Sequence, residues 1–222
     1  MPSKEQVASV RLVGDPPSKN QLASSDSLWP YSTPGLPDEL FERIPGIPLS
    51  PREVRVLMLS QLRLHCGAVL WDIGAGTGTI AVEAALLCPS APIVAIERDE
   101  EVAELIERNC HKFAITSVEV RRGSAPECLN ALVEDPDRVC IEGGQSLPAV
   151  LAAVWSRLRP GGRVVAVTST LEGLYQITEG FAQLQARQVE VVQAAICRLE
   201  RRGAQQAFVA LDPTFVLSGE KL

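Results

Sequence analysis

Asp72, Gly74, Gly76, Gly78 and Glu97 are the residues of this chain whose types and spacing could do chemistry. The first four stand in Val69-Leu70-Trp71-Asp72-Ile73-Gly74-Ala75-Gly76-Thr77-Gly78, an apolar run that meets an acid and then a glycine at every second position. Glycines let a strand turn sharply into a helix and let a ligand approach the backbone with no Cβ in the way. Asp72 would set a carboxylate beside that ligand, which suits a cation. Dinucleotide loops run G-x-G-x-x-G and aim an unopposed helix N-terminus at pyrophosphate; the G-x-G-x-G spacing and the acid before it point away from a phosphate. Ala91 to Ile96 reads as the following strand and closes on Glu97, 19 residues after Gly78. A carboxylate at that strand tip can accept hydrogen bonds from both hydroxyls of a ribose. The plain structural alternative is that Asp72 and Glu97 are polar strand ends beside helix N-termini. The order strand, loop, helix, strand, acid favours a ligand site.

The elements that must position these residues follow from periodicity and punctuation. Residues 1–36 carry Pro16-Pro17, Ser24-Ser25, Pro30, Pro34 and Gly35 with little pattern and read as an extended or mobile arm. Residues 37–222 read as one continuous domain. Ser50, Pro51 and Glu53 spell a helix start, with Ser50 as N-cap, Pro51 at the first helical position and Glu53 closing a capping box. Further strands are expected at Val118–Val120, Arg138–Ile141 and Arg163–Val167, with helices between them. Val189–Leu199 and Ala207–Leu211 are expected to finish the chain as a hairpin across Arg201-Arg202-Gly203. Strand and helix in alternation imply a Rossmann-like α/β fold, a mostly parallel sheet with a terminal antiparallel hairpin. Such sheets bind ligands beyond the carboxyl ends of their strands. The glycine loop, Glu97, Ser124-Ala125, Glu142-Gly143-Gly144 and Thr168–Glu172 all fall there.

Composition sets limits. A chain of 222 residues suffices for one well-buried α/β domain and is too short for two. A formal net charge of −6 argues against a nucleic-acid groove, which would show as a basic stripe. No run approaches the ~20 apolar residues of a membrane span, and Met-Pro-Ser-Lys-Glu-Gln lacks the apolar core of a secretory signal, so no membrane partner and a cytoplasmic location are expected. The six cysteines stand singly, with no C-x-x-C pair and only His65 and His111 to help, so they read as reduced core residues and no metal site is expected.

The loop from Asp72 to Gly78 and the acid at Glu97 resemble the cofactor site of class I S-adenosylmethionine-dependent methyltransferases, whose ligand carries an ammonium, a sulfonium and no phosphate. Four stretches narrow the comparison: Gly46-Ile47-Pro48-Leu49-Ser50-Pro51-Arg52-Glu53-Val54-Arg55, Trp71 to Gly78, Gly123-Ser124-Ala125-Pro126-Glu127, and Leu158-Arg159-Pro160-Gly161-Gly162-Arg163 followed by Thr170-Leu171-Glu172. Together they are similar to the decarboxylating precorrin methyltransferases of cobalamin synthesis over residues 38 to 218. The resemblance implies a seven-stranded sheet, S-adenosylmethionine as cofactor, and methyl transfer to carbon 15 of a corrin precursor with loss of the carboxyl of the carbon 12 acetate. Carried over, cofactor contacts fall on Ser50, Asp72, Gly74, Ala75, Gly76, Thr77, Gly78, Glu97 and Ala125. Substrate contacts fall on Gly143, Gly144 and cationic side chains, for which Arg52 and Arg55 are the candidates, with Arg43, Arg198, Arg201 and Arg202 behind them. Glu172 is the candidate for moving protons, since the capping box already accounts for Glu53. A tetrapyrrole substrate, a partner subunit methylating carbon 5 and a homo-oligomer such as a tetramer are also implied. Two departures stand out: Ser124 replaces a common acid, and Glu142-Gly143-Gly144-Gln145-Ser146 replaces Gly-Gly-Ser-Gly-Gly. An RNA or protein methyltransferase is the alternative, but the amine-orienting Asn/Asp-Pro-Pro-Tyr/Phe is absent after the fourth strand. A scaffold subunit that binds cofactor without turnover is the other.

Overall fold

The computed structural model describes residues 28–142, 146–203 and 205–222, without the side chain of Arg202. Gly143 and Gly144, expected at the substrate, lie outside the described residues, as does most of the 1–36 arm. One compact unit runs from Tyr31 to Leu222. Leu36, only 1% exposed, is part of its core.

Five parallel strands make the centre: β1 (Leu70–Ile73), β2 (Ile93–Glu97), β3 (Val118–Arg122), β4 (Arg138–Glu142) and β5 (Arg163–Thr168). Between and around them run α1 (Arg52–Leu62), α2 (Thr79–Leu87), α3 (Glu100–Lys112), α4 (Leu147–Arg157) and α5 (Leu171–Gln183). The chain then forms β6 (Arg187–Ala194), β7 (Cys197–Arg202), β8 (Gln205–Ala210) and β9 (Thr214–Glu220). The seven-stranded sheet has the order β3-β2-β1-β4-β5-β9-β6, and β7 with β8 forms a separate antiparallel hairpin. The order reverses between β1 and β4, where doubly wound sheets open a crevice.

Burial explains the strand sequences. β1 is buried at every position and β5 at all but its last, as expected for strands covered on both faces, so they read as apolar runs. On β5, Val164 and Ala166 join a cluster with Trp71, Ile141, Trp155, Phe181 and Leu217, which ties the sheet to α4 and α5. Arg163 alternates to the other face, where its guanidinium donates to the Gln61 carbonyl of α1 at 2.6 Å and to Ser218 at 2.7 Å. β3, at the sheet edge, has no fully buried residue.

Three expectations need correction. The stretch from Val189 to Leu199 is two strands: β6 stays in the sheet and β7 leaves it. The single reversed strand of the sheet is β9, which pairs antiparallel with both β5 and β6. Of the cysteines, Cys110 and Cys140 are buried, whereas Cys66 and Cys197 are exposed. Among the described residues, no helix is long and apolar enough to cross a membrane.

Candidate active site

A cleft of about 520 Å³ opens at the carboxyl ends of β1, β4 and β5. Its walls are the glycine loop at Gly74–Thr77, the Pro48–Pro51 segment ahead of α1, Glu142, Val167–Ser169, Leu211 and Asp212 ahead of β9, and Thr214 at its start. The loop is built by local chemistry. Gly74, Gly76 and Gly78 all take positive φ, at 71°, 53° and 78°. A Cβ on Gly78 would meet Ile106 Cγ2 of α3 at 2.7 Å, so only glycine lets α2 start so close to α3. A Cβ on Gly76 would meet nothing nearer than the Gly74 carbonyl at 3.9 Å, so it would occupy cleft space rather than protein.

Glu97 ends β2 beside this loop. Its Oε2 accepts from the Gly76 N–H at 3.2 Å, and its Oε1 accepts from the N–H groups of Arg98 at 2.8 Å and Asp99 at 3.2 Å. The carboxylate is thereby fixed against the glycine loop with lone pairs to spare, though it does not itself line the cleft.

Asp72 is placed differently from a residue that faces ligand. It is fully buried beneath the loop; Oδ2 accepts from the Ala81 N–H of α2 at 3.1 Å, and Oδ1 has no partner among the described residues. Burial first, and then the nearby Glu142 carboxyl, hold its acid well above the usual carboxylate range. Glu142 ends β4, and burial pushes its carboxyl up to about 7 despite the opposing Ser50 hydrogen bond and Arg55 charge. Asp72, Cys140 and Glu142 each bring one oxygen or sulfur within 4.8 Å of the others.

Ser50 belongs to the cleft but is not a helix cap. Pro51 takes the N-cap position with no side-chain cap bond, and the Ser50 hydroxyl donates to Glu142 Oε2 at 2.5 Å. Glu53 does not close a capping box either: it accepts from Arg198 of β7 through both oxygens, at 3.2 and 2.5 Å.

The expected arginine rim is thinned. Arg55 is fully buried and cannot meet a substrate. Its Nε donates to Glu83 and its Nη1 to Asp38, both at 2.7 Å, while the carbonyls of Ser50 and Leu36 take further bonds at 2.6 and 2.5 Å. It acts from behind the cleft by holding the Ser50 carbonyl. Arg198 is committed to Glu53 and, at 3.1 Å, to Asp38. Arg43, Arg52 and Arg201 are exposed. Glu172 is exposed on the first turn of α5 and does not line the cleft; nor do Gly78, which caps α2, and Ala125, half-buried after β3. Ser50, Gly74, Ala75, Gly76 and Thr77 are thus brought together, with Glu97 joined to them through Gly76. Asp212 is a cleft residue that the sequence reading did not name, and Glu142, expected at the end of the fourth strand, is one to which it gave no chemical role. Strand-end logic placed Glu142 on the ligand side; what it could not give was the contact with Ser50, 92 residues away.

The chain matches the model of the precorrin methyltransferase domain over residues 44–220. It is 41% identical over 192 residues to a probable cobalt-precorrin-6B C(15)-methyltransferase (decarboxylating) of Pyrobaculum calidifontis, covering 86% of this chain and 97% of that protein. The cobalt-precorrin-6B C(15)-methyltransferase (decarboxylating) of Salmonella typhimurium is 35% identical over 185 residues, covering 83% of this chain and 95% of its own. Among solved structures, the precorrin-6Y C5,15-methyltransferase of Geobacter metallireducens superposes with a TM-score of 0.79 at 32% identity, over 86% of this chain and 100% of that one. With the glycine loop, the strand-end acids and the reversed β9 in place over the same span, this chain belongs to the precorrin methyltransferase family.

Proposed function

We propose that this protein methylates carbon 15 of a cobalt-precorrin-6B-type ring with S-adenosylmethionine and removes the carboxyl of the ring's carbon 12 acetate. The observation that carries the reading is near full-length similarity to proteins named for that reaction, at 41% identity. The cleft supports it. At Gly76 the glycine loop leaves open space where a Cβ would stand, and Glu97, bonded to that residue, offers carboxylate oxygens for ribose hydroxyls. The bound cofactor supplies a methyl group on a sulfonium. What the chain contributes is alignment of that group with a carbon nucleophile and exclusion of water. Loss of the carboxyl needs an electron sink, and a conjugated macrocycle is its own. The ring's many carboxylates call for cations, and Arg43, Arg52 and Arg201 are those left exposed once Arg55 and Arg198 are accounted for.

Incubation with labelled S-adenosylmethionine and a panel of precorrin intermediates tests the reading: label should enter a precorrin-6B-type ring with release of one carbon dioxide per methyl. Label entering RNA or protein instead would overturn it. Glu97→Ala should weaken cofactor binding by ~1.5 to 3 kcal/mol, about ten- to hundredfold, because bonds to a charged acceptor are lost from a partly dry site. Calorimetric titration with equal affinity for variant and parent would remove Glu97 from the cofactor site.

A further inference from the structure

Decarboxylation replaces a carbon–carbon bond with a carbon–hydrogen bond, so the reaction read above consumes one proton at the carbon that loses its carboxyl. Among the described residues lining the cleft, only Glu142 and Asp212 carry an ionisable acid. Asp212 is exposed, and bulk water competes for its carboxyl. Glu142 is less exposed than Asp212. Its Oε2 takes the Ser50 hydroxyl, and one of its oxygens lies within 4.8 Å of both the Asp72 carboxyl and the Cys140 sulfur.

Asp72 supplies the second, independent observation. Its side chain is fully buried, and Oδ1 has no partner among the described residues. Leaving an ionised carboxylate oxygen bare in such a place is costly, and two carboxylates this close cannot both be charged there. A proton on either acid relieves the repulsion between them, and one on Asp72 also removes the charge from its unpartnered oxygen. The groups that face the pair are Ser50 and Arg55 from the α1 side, Glu97 from β2, Cys140 from β4 and the Ala81 N–H from α2. Arg55 favours ionisation of Glu142, and Glu97 opposes ionisation of Asp72. Burial outweighs both and keeps each acid protonated further toward neutral pH than usual.

We propose that Glu142 is the acid of the reaction: it donates its proton to the substrate carbon that loses its carboxyl group. The inference rests on the decarboxylating reading above. In the step, the bond to the carboxylate carbon breaks, carbon dioxide leaves, and the electron pair stays on the methylene carbon and its conjugated ring. The O–H bond of Glu142 breaks and a C–H bond forms, leaving a methyl group on the ring and a carboxylate on Glu142. Asp72 then stands beside a new anion, which favours recovery of a proton from water as the cleft empties. Asp72 is a positioning residue; it acts through Glu142.

The test uses the full chain with labelled S-adenosylmethionine and the precorrin-6B-type ring. Glu142→Gln should bind cofactor within about threefold of the parent and still transfer methyl. Carbon dioxide release should fall by about a hundredfold or more, with the methylated, undecarboxylated acid accumulating. Asp72→Asn should retain turnover with the alkaline limb of its pH profile moved to lower pH. Independently of turnover, infrared spectra of the ligand-free parent should show a protonated-carboxyl carbonyl band that disappears near neutral pH and is missing from Glu142→Gln. Parental carbon dioxide release and pH profile in Glu142→Gln, or no such band in the parent, overturns the donor role alone. A parent that releases no carbon dioxide from any precorrin overturns the donor role together with the reaction it serves.

Discussion

Arg52 and Arg55 sit one helical turn apart on α1 and have opposite fates, which separates what a residue type can do from what its surroundings make of it. Arg55 is fully buried among Asp38, Glu83 and two carbonyls, while Arg52 is exposed. Arg55→Ala should therefore cost about 3–5 kcal/mol of folding stability, because it strands the fully buried Glu83 carboxylate. Arg52→Ala should change stability by no more than about 0.5 kcal/mol. Urea melts of both variants at neutral pH decide this, and a mild Arg55→Ala would mean that Glu83 finds another partner or a proton. The difference was not legible in the sequence because the two acids that claim Arg55 lie 17 and 28 residues away along the chain. The capping box at Ser50 misled for a related reason. A local pattern offered both side chains a modest bond, and partners 92 and 145 residues away displaced it: the Glu142 carboxyl for Ser50 and the Arg198 guanidinium for Glu53. The glycine loop and Glu97 were legible because their geometry is set within a few residues of each position.

Elements were readable where burial imposes a pattern and unreadable where pairing alone decides. The buried parallel strands announce themselves as short apolar runs, and the edge strand β3 only as the alternation Val118-Glu119-Val120. The reversed strand β9 does not: Thr214 to Glu220 holds three apolar residues and then a polar end, and its place between β5 and β6 comes from pairing with both. The hairpin β7–β8 has no place in the sheet, and Arg198 ties it to Glu53 of α1 and to Asp38. Hydrogen bonding by Arg198 holds Glu53 below the usual carboxylate range, and at Asp38 the bonds from Arg55 and Arg198 outweigh an opposing effect of burial. Depressed acids contribute stability that is present above their ordinary range and lost as pH falls through the folded value. The Arg198 contacts are a third exposed, so screening leaves them about 1 kcal/mol or less. Arg198→Ala should accordingly speed amide exchange across β7 and β8 about fivefold or less, with little change in β1, β4 and β5. Acidifying the parent below about pH 4 should do the same. Unchanged hairpin exchange in the variant would show that β7 and β8 are held by other contacts.

At the scale of the whole molecule, the acids pull stability in opposite directions with pH. Asp72 and Glu142 have raised folded values, so between the ordinary carboxylate range and about 7 the folded chain holds more protons than the unfolded one. Stability must then fall as pH rises through that window. Asp38 and Glu53 act at the other end, losing their contribution as pH drops below the ordinary range. The two trends place the maximum of stability in mildly acidic solution, at about pH 5, rather than at neutral pH. None of this was legible in a list of acids. It depends on the register that sets Asp72 of β1 against Cys140 of β4, two residues before Glu142. Glutamine at position 142 keeps the size of the side chain and removes its titration. Glu142→Gln should match the parent in urea melts at about pH 5 and exceed it at about pH 8 by on the order of 1–3 kcal/mol. Parallel pH dependences in variant and parent would mean that Glu142 ionises as freely in the folded chain as in the unfolded one, and the loss of stability with rising pH would then belong to Asp72.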